Sequence, residues 1–402
     1  MRIGMILDKT FPPDPRVENE ALALIDAGFE VFLFCLKYHD EPEKEVIEKI
    51  QVRRYSSGTL EYKLSALAYT FPLYTGKMYK KILDFLNVNK IDAIHIHDIR
   101  IAEAVFKANK KLQLPVVLDL HDNMPEVMKD YPHLQKFPGK QLISPQKWKE
   151  KEEEFIEKSD KVITVSNEFI EEVIDRTGID RDKIVLVPNT VRRSFYENAV
   201  IDEDITERFW KNFTILYLGD TALRRGLLTA IEAVNILKTR IKHLKLIIVG
   251  ESTTDDVLKA KVKELELEEF VVFEGWQDVS LFPSYITASD ICISPLYRSA
   301  QHDVAYANKV FQYMSFAKPV VVSDALAQKK LVEETKSGLV HKEKDAKDLA
   351  EKIMLLYKDP ELRKELGENG KRFIGEEFVW EKVSDSLVEI YYNFETNNSH
   401  KV

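Results

Sequence analysis

The sequence predicts an α/β protein made of two doubly wound, parallel-sheet, Rossmann-like domains facing a cleft. Three observations carry this. Short apolar runs alternate with stretches of helical spacing along the whole chain, which is the pattern of parallel strands covered on both faces. The alternation starts afresh near Phe213, so there are two such series. The length of 402 residues, 45 % of them apolar, suits two domains with sizeable cores.

The first series opens with the apolar run Ile3–Leu7, then helical spacing over Val17–Ala27, then a second run, Val31–Leu36. Gly28 stands just past that helix, where left-handed backbone is common. Ala93–His97, Ile101–Lys111, Val116–Leu120 and Val162–Val165 continue the order. The second series runs through strand Thr214–Leu218, helix Leu227–Lys238, strand Leu244–Val249 and a helix near Asp255–Leu265. Strands Val271–Phe273 and Ile291–Ser294, the helix around Asn308 and strand Pro319–Ser323 complete it. The polar stretch Asn189–Asn212 reads as an irregular interdomain linker. Domain bounds are expected at 1–190, 191–212 (linker), 213–375 and 376–402. The run from Phe378-Val379-Trp380 to Tyr392 reads as a last helix, and Glu395–Val402 as a frayed tail.

Composition narrows the function. A net charge of −9 argues against a general nucleic-acid binder. Cys35 and Cys292 both lie inside apolar runs and read as small buried hydrophobes in a reducing, cytoplasmic setting. The chain starts directly on a strand, so no signal peptide is expected, and no apolar run approaches the ~18 residues of a membrane span. Residues 51–150 carry 16 Lys/Arg against 10 Asp/Glu. There Lys77, Lys80 and Lys81 accompany Phe71, Leu73, Tyr74, Met78 and Tyr79, which fits either peripheral contact with an anionic membrane or an amphipathic helix packed on the sheet. The charge run Lys147–Lys158 reads as a solvated helix face.

Ligands of such sheets bind at the carboxyl ends of the strands, so residues just after strands are the candidates. In YANKVFQYMSFAKPVVVSD (Tyr306–Asp324), Asn308 and Gln312 are four apart and share a helix face flanked by Lys309. Two hydrogen-bonding groups and a cation at a helix start suit a ribose and its phosphates, although a solvated face would carry the same residues. In LYLGDTALRRGLLTAIEA, Gly219 lets backbone approach a ligand, and Arg224 and Arg225 precede Gly226 at a helix start. Paired arginines oppose the macrodipole there, which favours a diphosphate over a plain tight turn. His121 and Asp122 follow strand Val116–Leu120, and His97 and Asp98 follow Ala93–Ile96. Asp98 could take a proton from a nucleophile or cap the helix after it. Arg16 and Glu20, four apart, could face the cleft or form a surface ion pair. No metal-ligand spacing stands out, so no metal and no cofactor are expected.

These segments together resemble the family-4 retaining glycosyltransferases of the two-domain GT-B fold. The resemblance rests on PPDPRVENEALALIDAGFEV, LDLHDNMPE, SDKVITVSNEF, VPNTV, LYLGDTALRRGLLTAIEA, VVFEGW, ASDICISPL, NKVFQYMSFAKPVVVSD and EEFVW in order. It implies a UDP- or GDP-type nucleotide sugar as donor, with its diphosphate at Gly219, Arg224, Arg225 and Gly226. It implies a base-reading loop at Glu274 to Trp276, and ribose and sugar contacts from Asn308, Lys309 and Gln312. It also implies His121 beside the transferred sugar and a glycan or lipid-linked acceptor; by their positions Arg16, Glu20, His97 and Asp122 are the acceptor-side candidates, with Asp98 a candidate to take a proton. Retention is then a front-face transfer in which the leaving phosphate takes the acceptor's proton, and the closing helix after Trp380 crosses back to the first domain. The subgroup is the one with Asn-Lys in the donor helix. Val304 and Gln312 stand where the family often has glutamates, Asp220 where it has a first diphosphate-binding arginine, and Thr10–Pro15 where it has paired glycines. A nucleotide-sugar epimerase or a non-catalytic binding protein of the same fold are the alternatives. A nicotinamide-dependent dehydrogenase is disfavoured because no GxGxxG follows either first strand.

Overall fold

The computed structural model describes residues 1–130, Leu134, Phe137 and 139–399. Two compact units emerge: Met1–Pro188 with the segment from Ser384 onward, and Asn189–Val383.

The first unit holds an eight-stranded sheet: β1 (Arg2–Ile6), β2 (Glu30–Lys37), β3 (Lys44–Ile47), β4 (Ile50–Ser56), β5 (Ala93–His97), β6 (Val116–Asp119), β7 (Lys161–Thr164) and β8 (Ile184–Leu186). The order is β3-β4-β2-β1-β5-β6-β7-β8, parallel except for the β3–β4 pair. The order reverses between β1 and β5, so the strand ends there form a crevice of the kind that receives ligands in such sheets. Every residue of β5 is buried, and its period of two puts His95 and His97 on one face among isoleucines on the other. The β3–β4 hairpin has no counterpart in the expected elements, because Lys44–Ile47 is an exposed, charged edge strand without an apolar run.

The second unit holds six parallel strands: β9 (Phe213–Leu218), β10 (Leu244–Val249), β11 (Val271–Gly275), β12 (Ile291–Ser294), β13 (Val320–Ser323) and β14 (Gly338–His341), in the order β11-β10-β9-β12-β13-β14. Its reversal lies between β9 and β12. One core packs Ile231, Val234 and Leu237 of helix Leu227–Leu237 against β9 and β10, and a second packs Val310, Phe311 and Met314 on the other face.

Residues 189–212 are not the irregular linker expected. They carry helices Arg193–Glu197 and Glu203–Phe209, the second capped by Asp202, which accepts from the Ile205 amide. Ile205 and Phe209, four apart, bury themselves against Tyr285 and Leu216, an apolar stripe hidden in an acidic stretch. The closing helix is also divided. A π-helical turn, Ile374–Phe378, and helix Trp380–Val383 belong to the second unit, while helix Asp385–Ser399 belongs to the first and buries Tyr391 completely. Of the tail expected to fray, residues through Ser399 are helical, and 400–402 lie outside the described residues.

Backbone crowding fixes the loop after β9. Gly226 is left-handed (φ +79°), and a Cβ there would lie 1.7 Å from the Pro295 carbonyl oxygen after β12. Gly226→Ala is therefore expected to lose at least ~1–2 kcal/mol from the backbone alone, and more from the overlap. A lowered thermal unfolding midpoint, read by circular dichroism, checks this.

Candidate active site

In the first unit, the strand ends gather a buried polar cluster. Arg16, on helix Pro15–Asp26, donates to Asp119 through Nε (2.8 Å) and Nη2 (2.6 Å), and to the Val187 carbonyl through Nη1 (3.0 Å). Its Nη2 also lies 2.9 Å from Glu20 Oε1. Glu20 Oε2 faces His95 Nε2 at 3.2 Å, and His95 Nδ1 meets the Tyr391 hydroxyl at 2.8 Å. Asp119, the last residue of β6, takes His121 Nε2 at 2.7 Å. His97 Nδ1 lies 3.1 Å from that same nitrogen. Asp98 is left-handed (φ +60°), and its Oδ2 stands 3.6 Å from His121 Nδ1.

The charges follow from these contacts. Burial opposes ionisation of Asp119, but Arg16 and His121 outweigh it and hold the carboxyl well below its usual range. Burial also opposes a charged His121, yet Asp98 and Asp119 raise it to about 9. His95 is raised because Asp119 and Glu20 overcome its burial. His97 is pushed down by burial and by His95. Glu20, His95, His97 and Asp119 offer ligand-type atoms within 4.8 Å of one another. A metal ion does not fit among them, because the Arg16 guanidinium is already bonded to both carboxylates and would face the ion at contact.

This corrects the acceptor-side expectation for three residues. Arg16, Glu20 and His97 are buried (7 %, 0 % and 1 % exposed), so neither a surface ion pair nor direct contact with a bulky acceptor is available to them. Within the cluster His121 keeps the largest exposed side-chain fraction, 11 %, and Asp98 keeps 7 %. Asp122 is half-buried beside them. Asp119 and His95 were missed. Their signal was a carboxylate and a histidine inside otherwise apolar strands, two residues from His121 and His97 respectively. Asp8, just after β1, is buried and paired with Arg100 (3.3 Å) at the same crevice.

In the second unit, the crevice between β9 and β12 is cationic. Lys309 opens helix Asn308–Ser315 and turns inward, where its Nζ lies 3.5 Å from the centre of the Tyr217 ring. Among the described residues no carboxylate stands within ion-pair distance of it. Burial and the neighbouring Arg225 push its pKa well below the lysine range. Gly219 is required by its backbone (φ +106°); a Cβ there would only touch that side chain, at 3.5 Å. The Tyr313 hydroxyl accepts from the Leu218 amide (2.7 Å) and pins this helix to the end of β9. Arg224 Nη2 and Arg225 Nε both donate to Asp220 Oδ2, at 3.0 and 3.2 Å. The paired arginines expected to await an anion are thus partly neutralised from within the loop. Asn308 is exposed and Gln312 half-buried. The Glu274 carboxylate is taken by Arg208 (2.6 Å) and the Tyr285 hydroxyl (2.8 Å), while Trp276 is 67 % exposed.

The basic and aromatic surface of the first unit divides in two. Tyr74 and Met78 are buried in helix Leu73–Val88, whereas Leu60, Tyr62, Phe71 and Leu73 are exposed, as are Lys63, Lys77 and Lys80. Among the described residues no helix is long and apolar enough to cross a membrane.

Residues 16–195 match the family model described as Glycosyltransferase Family 4, and residues 201–373 match that of Glycosyl transferases group 1. An uncharacterized glycosyltransferase of Methanocaldococcus jannaschii, MJ1607, is 23 % identical over 407 residues, covering 97 % of this chain and 98 % of that one. Sucrose-phosphate synthase of Thermosynechococcus elongatus superposes with a TM-score of 0.80 at 19 % identity, over 98 % of this chain and 99 % of that one. Anabaena HepE, solved in complex with UDP-glucose, gives 0.73 at 16 % identity, over 98 % and 100 %. The architecture is GT-B. The matches to both halves place the chain among the glycosyltransferases of that fold.

Two substitutions probe these clusters. Arg16→Met leaves Asp119 and Glu20 buried without their counter-ion and is expected to cost about 3–5 kcal/mol, read as a fall in thermal midpoint. Lys309→Met is expected to do the opposite. It removes a desolvated ammonium that has no counter-ion and should raise the midpoint of the free protein.

Proposed function

We propose that the protein is a retaining, metal-independent glycosyltransferase. It moves a sugar from a UDP- or GDP-type nucleotide sugar to a hydroxyl of a glycan or lipid-linked acceptor. The observation that carries this is Lys309, a buried cation without a counter-ion at the switch point of the second sheet, beside Gly219 and Arg225. A diphosphate supplies the missing negative charge. Gly226 and Arg224 line the same loop, Asn308 and Gln312 offer hydrogen bonds to a ribose, and the Glu274–Trp276 loop is the base-side contact. HepE, solved in complex with UDP-glucose, supports the donor class.

On the first unit, His121 is the group proposed to meet the transferred sugar, with Asp98 and Asp122 beside the acceptor hydroxyl. Arg16 and the histidines already engage the other carboxylates there, Asp119 and Glu20. That supports a front-face course in which the departing phosphate takes the acceptor's proton and the cations of the second unit stabilise it. The exposed Leu60, Tyr62, Phe71 and Leu73 beside Lys63 and Lys80 support peripheral contact with an anionic membrane carrying a lipid-linked acceptor. Polysaccharide or glycolipid assembly is the setting this implies. A non-catalytic nucleotide-sugar-binding protein is the second reading, favoured by Val304, Gln312 and the Asp220 contact to both arginines.

A thermal-shift series with UDP, GDP, CDP, dTDP and their sugar conjugates, in EDTA, tests the donor. A ligand at ~100 times its Kd adds about 2.7 kcal/mol. A shift with one nucleotide and its sugar, lost in Arg225→Ala, is the expected result. No shift without added magnesium would sink the metal-independent reading, and binding without any turnover would favour the second one.

A further inference from the structure

The His121 ring has an arrangement that decides its protonation. Asp119 cannot donate to it, because that carboxylate is held in its ionised form by two hydrogen bonds from Arg16. So the His121 nitrogen 2.7 Å from Asp119, Nε2, is favoured in its protonated form, and His97 Nδ1, hydrogen-bonded to it at 3.1 Å, is then the acceptor. The other nitrogen, Nδ1, faces Asp98 Oδ2 at 3.6 Å, where a lone pair would be repelled by the carboxylate. The groups facing the ring are Asp119 from β6, His97 and Asp98 from β5 and the turn after it, and Arg16 from helix Pro15–Asp26. Among the described residues, helix Asp385–Ser399 meets the cluster at His95, through Tyr391. Of these, Arg16 opposes a charged ring, but its charge is spent on Asp119 and Glu20, and His97 opposes it only when itself protonated, which burial and His95 disfavour.

We propose that Asp119, clamped by Arg16, is a positioning residue that keeps His121 doubly protonated, so that His121 meets its ligand as a cationic donor through Nδ1–H and not as a base. The Nε2–H is committed between Asp119 (2.7 Å) and His97 Nδ1 (3.1 Å), whereas Nδ1–H faces Asp98 only at 3.6 Å, which leaves it free to donate to an oxygen of a bound sugar. The identity of that ligand rests on the transferase reading; the protonation state does not. The geometry agrees with the upward displacement of His121 described above, which places its loss of a proton near pH 9. The ring's contribution to stability is then fully present below about 6.5, its ordinary value, and is lost as the pH rises through 9.

The test is a heteronuclear NMR titration of the His121 ring nitrogens in the full chain, assigned with His121→Gln. Both nitrogens are expected to show imidazolium shifts at pH 7.5, with the transition near 9. Asp119→Asn is expected to weaken proton affinity at least tenfold, and Arg16→Lys, which keeps the charge but not the fork, to act in the same direction more weakly. A neutral ring at pH 7.5, or a transition unmoved by Asp119→Asn, overturns the proposal. Should Asp119→Asn fail to fold, the wild-type titration and Asp98→Asn, expected to lower the same transition, decide it. With a nucleotide sugar found by binding, Asp119→Asn should also move the alkaline limb of kcat to lower pH. A purely structural Asp119 would depress activity at every pH without moving that limb. If no nucleotide sugar is turned over, the transferase reading fails while the titration still decides this one.

Discussion

The first unit depends on one buried pair, the fork of Arg16 on Asp119. A guanidinium and a carboxylate taken out of water cost several kcal/mol each unless their hydrogen bonds are completed. Here the guanidinium donates to Asp119 and to the Val187 carbonyl, while Glu20 and His121 add charge contacts at 2.9 and 2.7 Å, so these positions are tied to the pair. Helix Pro15–Asp26, strands β5 and β6 and the end of β8 are thereby joined through polar contacts at the edge where the strand order reverses. Apolar packing could hold the same elements together, but it would not orient an imidazole.

The second unit solves a different problem with a similar economy. Its crevice holds Lys309 without a carboxylate, against the face of Tyr217, while Arg224 and Arg225 share Asp220. The electrostatics are therefore uneven across a few ångströms. One cation is uncompensated and two are half-compensated. An anion entering there gains most at Lys309, and Asp220 must yield for the arginines to contribute. Asp220 stands where the resemblance leads one to look for a further cation, which makes this loop the part of the site most particular to this chain.

Much of the sheet architecture was legible, because parallel strands buried on both faces write themselves as apolar runs that depend little on context. The β3–β4 hairpin was not, since Lys44–Ile47 is exposed and its pairing comes from its neighbour. The helices in 193–209 were hidden because Ile205 and Phe209 sit among acids that dominate a composition-based reading. Glycines and cations after strands marked loops that the structure also puts at the carboxyl ends of the strands. What could not be read was depth. Arg16 and Glu20 at a four-residue spacing look alike whether they lie on a surface or under a sheet edge, and only Asp119, distant in sequence, decides between the two. Lys309 was read as flanking a polar face, whereas the ring of Tyr217 draws it inward.

The first unit is discontinuous: its last helix, Asp385–Ser399, is separated from the rest by the whole of the second unit. A chain emerging from the ribosome presents Asn189–Val383 complete while the preceding unit still lacks Tyr391, the partner of His95. The order of synthesis and the order of completion are therefore reversed. The half of the molecule made first is finished last, and until then its histidine cluster stays open on the side that helix will seal.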